Sequence, residues 1–289
     1  MILVVILALV AHVSYALNDM SGALATRKFD GKLMSLMSWL LGMAVYVLLA
    51  PFLWNHSLYL WPTIVGLMTG AILGTAFPIF LKALKEGNPT LVGVIAGTFP
   101  LWVVIFSVLV YKEVLSGAEL AAIAVITLGI VLSALHLSRK TRLHNLFSKS
   151  TLMALLVSVM WGIGFGSLSY PSNEIGWFEA SMLSSTGGTV ISMAWLYPQY
   201  RGRLKVSLKK FYIYPVANAI TGVAGVLAYT LALTKGNSSI VAPIAGSYSG
   251  LFAVLSYFAF KEKLTRIQVG GVIIIIIGII SLSAIVARS

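Results

Sequence analysis

The sequence predicts an all-α integral membrane protein of ten transmembrane helices, arranged as two five-helix repeats of opposite sense. Three observations carry that expectation. The 289 residues are 59% hydrophobic and only 10% charged, with a mean hydropathy of +0.96. A soluble domain is about 45–50% apolar and about 25% charged. Apolar runs of bilayer length recur between short polar breaks, and the second half of the chain repeats the first at a constant shift.

The composition excludes an ordinary soluble enzyme, whose single core cannot hide so many apolar side chains. It also excludes disorder, which needs low hydrophobicity. A hydrocarbon core of ~30 Å takes about 20 apolar residues per helix. Stretches such as Val269–Ile285 are continuously apolar rather than alternating, so they read as helices and not as barrel strands. Runs bounded by charge, Pro, Gly or Asn place the spans near Ile2–Leu24, Leu33–Trp54, Pro62–Leu84, Pro89–Tyr111, Gly117–Leu137, Thr151–Tyr170, Trp177–Tyr197, Phe211–Leu233, Ser238–Phe260 and Ile267–Val286.

The first span lacks a basic leader and is longer than the apolar region of a signal peptide, so it reads as a retained helix. Asn88 and Asn237 are N-cap residue types before spans four and nine, and Pro89 suits a first helical position. Ser116 with Glu119, and Thr265 with Gln268, are capping boxes in front of spans five and ten. Lys112-Glu113 and Lys261-Glu262 form the polar turns before those boxes, as interfacial anchors and cap partners rather than substrate ligands.

A shift of 149 residues aligns Leu81–Leu135 with Thr230–Ala284 without gaps. Gly87-Asn88 falls on Gly236-Asn237, Ile95-Ala96-Gly97 on Ile244-Ala245-Gly246, Lys112-Glu113 on Lys261-Glu262, and Gly129-Ile130 on Gly278-Ile279. The organisation expected is a first repeat over 1–137, a basic connection over 138–150 and a second repeat over 151–289. Five spans is an odd number, so the second repeat enters the membrane inverted, an arrangement common in secondary transporters.

The net charge of +12 reads as topology. Seventeen of the twenty Lys and Arg fall in odd-numbered connections, the others being Lys112, Lys235 and Arg288. The positive-inside rule then puts the odd connections in the cytoplasm and both termini outside. No water-exposed domain is left to bind nucleic acid. With no cysteine there is no disulfide, thiol nucleophile or thiolate metal site, and no cofactor is expected.

The halves resemble EamA domains of the drug/metabolite transporter superfamily over nearly the whole chain. The resemblance rests on Gly-Asn opening spans four and nine, Pro100 within span four, Glu113 and Glu262 after spans four and nine, the Gly-Ile pair late in each half, and Trp161-Gly162 in span six. His12-Val13 stands where the second half has Trp161-Gly162, and Ser249 stands where the first has Pro100. The resemblance implies two inverted five-helix EamA-like repeats around a central cavity, lined by the first, third and fourth spans of each half with parts of the second. It implies substrates such as amino acids, nucleotide sugars, metabolites or drugs. Many relatives are expected to keep both termini in the cytoplasm, opposite to the charge count.

Few polar residues lie within the spans. His12, Tyr15, Asp19 and Gly22 share one face of span one. Asp19 is the one acid expected within the membrane, where an ionisable group is costly and functional by default. Its bland alternative is an interfacial partner of Arg27 or Lys28. His12 suits a proton relay or, equally, a hydrogen-bonded core histidine. On span eight, Asn218, Thr221 and Tyr229 are candidate ligands, with Gly222 and Gly225 as packing. Pro100 and Pro243 should kink spans four and nine, and Thr98, Phe99, Ser247 and Tyr248 at matching positions should face the cavity. Trp161 belongs to its wall, along with Trp39 and Tyr170. Trp54, Tyr59, Trp61 and Tyr197 look like interface-belt residues.

These features point to a secondary transporter, an exporter or exchanger, of a small organic metabolite such as an amino acid, in the cell membrane. It would work as a monomer or homodimer by alternating access. A lipid or amphipath flippase or a channel-like facilitator is the alternative. An intramembrane enzyme is disfavoured by the lack of HExxH, of paired mid-span aspartates and of cysteine.

Overall fold

The computed structural model describes residues 2–26, 30–86, 89–134, 148–201, 213–261 and 264–288. The connections that hold most of the basic residues, the Gly87-Asn88 pair and Glu262 lie outside them. Its helices are α1 (Ile2–Thr26), α2 (Gly31–Leu53), α3 (Leu60–Glu86), α4 (Pro89–Ala96), α5 (Phe99–Val110), α6 (Gly117–Ala134), α7 (Lys149–Ser167), α8 (Ser169–Glu174), α9 (Trp177–Trp195), α10 (Ile213–Leu233), α11 (Ser238–Gly246), α12 (Ser249–Phe260) and α13 (Arg266–Arg288). No strand occurs among the described residues.

Local chemistry sets the helix starts. Asp30, extended at φ −60° and ψ 131°, accepts the Lys32 and Leu33 amides and opens α2. At α6 the Ser116 amide donates to Glu119 (2.7 Å), and the Glu119 amide donates to the Ser116 hydroxyl (3.2 Å). Thr265 and Gln268 reciprocate at α13 (2.9 and 3.3 Å). Each pair satisfies two of the amides a helix start leaves free. Asn237 holds the N-cap position of α11, but its side chain caps nothing. The Glu113 carboxylate does so instead, accepting the Ser238 and Ser239 amides at 3.1 and 3.0 Å. The polar turns match across the repeat, since Lys112 and Lys261 both adopt left-handed backbone, at φ 58° and 57°.

Among the described residues, seven spans are long and apolar enough to cross a bilayer: Ile2–Ala25, Gly31–Leu53, Leu60–Phe80, Lys149–Glu174, Ile213–Leu233, Ser238–Phe260 and Arg266–Ala287. Phe99–Val110 and Gly117–Ser133 are shorter apolar helices. Large apolar side chains such as Leu48, Phe52, Val190 and Ile280 face outward, as lipid contact requires.

Packing joins the two halves rather than separating them. Helix α6 lies along α13, α1 along α10, and α3 along both α7 and α9. These pairs correspond under the repeat: α1 on α10 mirrors α7 on α3, and α2 on α10 mirrors α9 on α3. Small residues set the closest seams. A Cβ on Gly70 would overlap the Ser184 carbonyl, and one on Gly271 would overlap the Ser133 backbone. Without a hydrophobic drive between helices in lipid, such close backbone approach holds the bundle together.

Candidate functional site

A cavity of about 1100 Å³ occupies the middle of the bundle. Its wall runs from Tyr46 and Ser181 to helix ends at Gly31, Ser133, Leu264 and Gln268. These ends belong to the face whose connections carry most Lys and Arg in the sequence, here called the basic face. Among the described residues, none from the connections on the opposite face lines the cavity.

That opposite face is tied shut by carboxylates reaching across the halves. Glu113, after α5, takes the amides at the start of α11 and the Ser238 hydroxyl at 3.0 Å. Glu179 in the first turn of α9 is 1% exposed and accepts the Asn55 and His56 amides at 2.7 and 2.9 Å. The imidazole of His56 lies 3.6 Å away. Residue 176 must be glycine here. Its φ is 98°, and a Cβ would lie 2.5 Å from the Glu179 carboxylate. The Asn173 amide adds a bond to the Leu233 carbonyl at 3.3 Å.

The helices in the positions of spans four and nine are broken at the cavity's inner end. The turns fall at Gly97-Thr98, just before Pro100, and at Ser247-Tyr248. Pro100 sits in the first turn of α5, where its missing N–H costs nothing. Pro243 remains inside α11. The hydroxyls complete the breaks: Thr98 donates to the Ile95 carbonyl (2.7 Å), and Ser247 donates to Ile244 (2.8 Å), at the same offset in each repeat. Freed backbone groups at membrane depth must find partners. In the first half the Thr98 hydroxyl also lies 3.1 Å from that of Ser158. In the second, His12 Nδ1 lies 3.0 Å from the Ile244 carbonyl and 3.2 Å from the Ser247 hydroxyl. Only a protonated nitrogen can donate to that carbonyl, which fixes the proton on Nδ1.

The expected site residues therefore divide. Tyr15, Asp19, Phe99, Trp161, Asn218 and Tyr248 line the cavity. His12, Thr98 and Ser247 turn away to complete the helix breaks. Thr221 bonds to its own helix at Ala217 (2.7 Å). Tyr229 is buried, its ring 5.4 Å from that of Phe165 and its hydroxyl 3.4 Å from the Phe165 carbonyl. Trp39 lines the wall, whereas Tyr170 does not.

The cavity has two textures. One wall is a continuous file of rings, Phe80–Trp161–Phe99–Phe165–Tyr15–Tyr248, with successive centroids 5.2, 6.0, 5.3, 5.8 and 5.8 Å apart. The file ends beside Asp19, which lines the same wall as Tyr248. The other wall is polar, with Ser35, Ser38, Ser184 and Ser185. There Asn18 and Asn218 exchange side-chain-to-backbone bonds of 2.7 and 2.6 Å. The serines, Asn18, Phe80 and Phe165 were not among the expected ligands. The signal for Ser184 and Ser185 was the unusual density of Ser, Thr and Gly within Trp177–Trp195.

Known proteins share this architecture. One solved crystal structure superposes with a TM-score of 0.72 over 99% of this chain and 96% of its own, at 16% identity, a likeness of fold. An uncharacterized protein of Methanocaldococcus jannaschii is 31% identical over 134 residues, which are 46% of this chain but 94% of that protein. The relative is thus about half as long, the size of one repeat. The profile of the EamA-like transporter family matches twice, over residues 2–135 and 148–284. The chain belongs to the EamA-like transporter family and is a multi-pass membrane transporter of the drug/metabolite transporter type.

Proposed function

We propose that the protein is a secondary transporter that carries a small organic metabolite, by export or exchange, through alternating access across the cell membrane. The observation that carries this reading is the cavity's one-sidedness. It reaches the helix ends of the basic face, while carboxylates and amides from opposite halves meet on the other. Two helices broken at equivalent positions, Thr98 and Ser247, supply the discontinuous elements around which such carriers rock.

In this reading the units are 1–137 and 151–289, inverted about the membrane plane, with ten spans. The seven apolar spans are joined by α4 with α5, by α6, and by α9. Helix α9 is too polar to score as lipid-facing because Ser181, Ser184 and Ser185 line the cavity. The charge distribution puts the basic face in the cytoplasm and both termini outside, so this conformation loads from the cytoplasm. Tyr15, Asp19, Phe99, Trp161, Asn218 and Tyr248 contact the solute. His12, Thr98, Ser247, Thr221 and Tyr229 hold the helices that carry those contacts.

Purified protein in liposomes preloaded with an unlabelled panel of amino acids and amines tests the reading through counterflow of labelled solute. Saturable uptake that depends on the internal solute is expected. Non-saturating flux indifferent to it would point to a channel, and transfer of lipid alone would point to a flippase.

A further inference from the structure

Resting on the transporter reading above, we infer that the cavity selects an amphipathic primary amine, with its ammonium group at Asp19 and its apolar body along the file of aromatic rings. Among the described residues, the wall carries one carboxylate, Asp19, and no Lys, Arg or His. A monocation is thus the ligand that neutralises the one charge of the described wall. A ligand bearing its own carboxylate brings in a second charge for which the described wall offers no cationic partner, and burying an unpaired charge is costly.

Unpaired hydroxyls in the same wall narrow the amine further. The hydroxyl oxygens of Tyr15 and Ser249, both in the cavity wall, are buried and lack a hydrogen-bond partner. A buried polar group left so is costly. A primary ammonium has three N–H donors, which matches one carboxylate oxygen and two idle hydroxyl oxygens. A quaternary ammonium has none and would leave both hydroxyls unpaired. The Tyr15 and Tyr248 rings, 5.8 Å apart, add π faces that attract a cation. Phe165, Phe99 and Trp161 continue the file and bury the apolar body.

The test uses three probes of one skeleton on purified wild-type protein: 2-phenylethylamine, phenylalanine, and trimethyl-2-phenylethylammonium. Binding is read by calorimetry and by melting-temperature shift. The primary amine should bind about tenfold or more tightly than either of the others. Asp19→Asn should weaken its binding about tenfold or more, and Tyr15→Phe several-fold, with the ligand-free melting temperature of Tyr15→Phe near the wild-type value. Phenylalanine or the quaternary ion binding as tightly as the amine overturns the inference. So does the lack of any amine binding, or amine affinity unchanged in Asp19→Asn. If Asp19→Asn does not fold, the three-probe comparison on the wild-type chain decides. Counterflow of any other solute would leave the transporter reading standing while this inference falls.

Discussion

The Glu113 carboxylate receives both the backbone amide and the hydroxyl of Ser238, at 3.1 and 3.0 Å, across the boundary between the two repeats. A side chain that follows one broken helix thereby caps the start of the other. The Ser107 hydroxyl, 2.6 Å from that of Ser238, joins the same knot. A negative charge at a helix N-terminus is favoured both by the free amides and by the helix dipole.

Removing that cap has a readable cost. Hydrogen bonds to a charged group contribute about 1.5–3 kcal/mol, and partial exposure of Glu113 reduces this by screening. Glu113→Ala is expected to lose about 1–2 kcal/mol, with Glu113→Gln losing less, as read by thermal unfolding of the purified protein. Glu179→Ala should lose more, because its carboxylate is 1% exposed and leaves the Asn55 and His56 amides unpaired. Equal stability of the Glu179→Ala and wild-type proteins would show that these bonds do not hold the closed face.

His12 is a second case in which position changes the expectation. Its imidazole serves the break at Ile244 rather than the cavity. His12→Ala is therefore expected to lower the melting temperature, by about 1–3 kcal/mol of stability. His12→Asn, which retains a donor, should recover part of the loss. A pH dependence of transport that disappears in His12→Ala with no loss of stability would restore the relay role.

Close helix packing makes a third prediction, with an internal control. Gly70→Ala places a Cβ against the Ser184 carbonyl, whereas a Cβ on Gly93 meets nothing within 4 Å. Overpacking of a tight seam costs about 1–3 kcal/mol or more. Gly70→Ala should give little folded protein in detergent, and Gly93→Ala should behave as wild type. Size-exclusion profiles of the two variants check this.

Orientation yields a fourth. The clustering of Lys and Arg in odd-numbered connections predicts that a C-terminal phosphatase reporter is active and a C-terminal fluorescent reporter dark. A bright fluorescent fusion would reverse the molecule in the membrane and make the cavity extracytoplasmic.

Features that depend on neighbours in sequence were legible before the structure. The capping boxes at Ser116 and Thr265 need only residues three apart, and the Lys-Glu turns repeat at a fixed shift. Proline accounts for one break only: Pro100, with no N–H to give the Ala96 carbonyl, follows the first, whereas Pro243 lies inside α11. At both breaks a hydroxyl, of Thr98 or Ser247, donates to the i−3 carbonyl where the preceding helix ends. The Asn18–Asn218 exchange spans 200 residues, and no local pattern announces such a pair. The place of Asp19 in the cavity wall depends on helices distant in sequence, such as the one that follows Tyr248.

The central claim is that the protein works by exchanging which face is shut, and the absence of native cysteine allows it to be tested directly. A variant with Glu113→Cys and Ser239→Cys joined by a short, reducible bis-thiosulfonate linker holds the face opposite the basic one closed. Counterflow in liposomes is expected to stop on cross-linking and to return when the linker is reduced. Undiminished counterflow through the cross-linked protein would contradict the account.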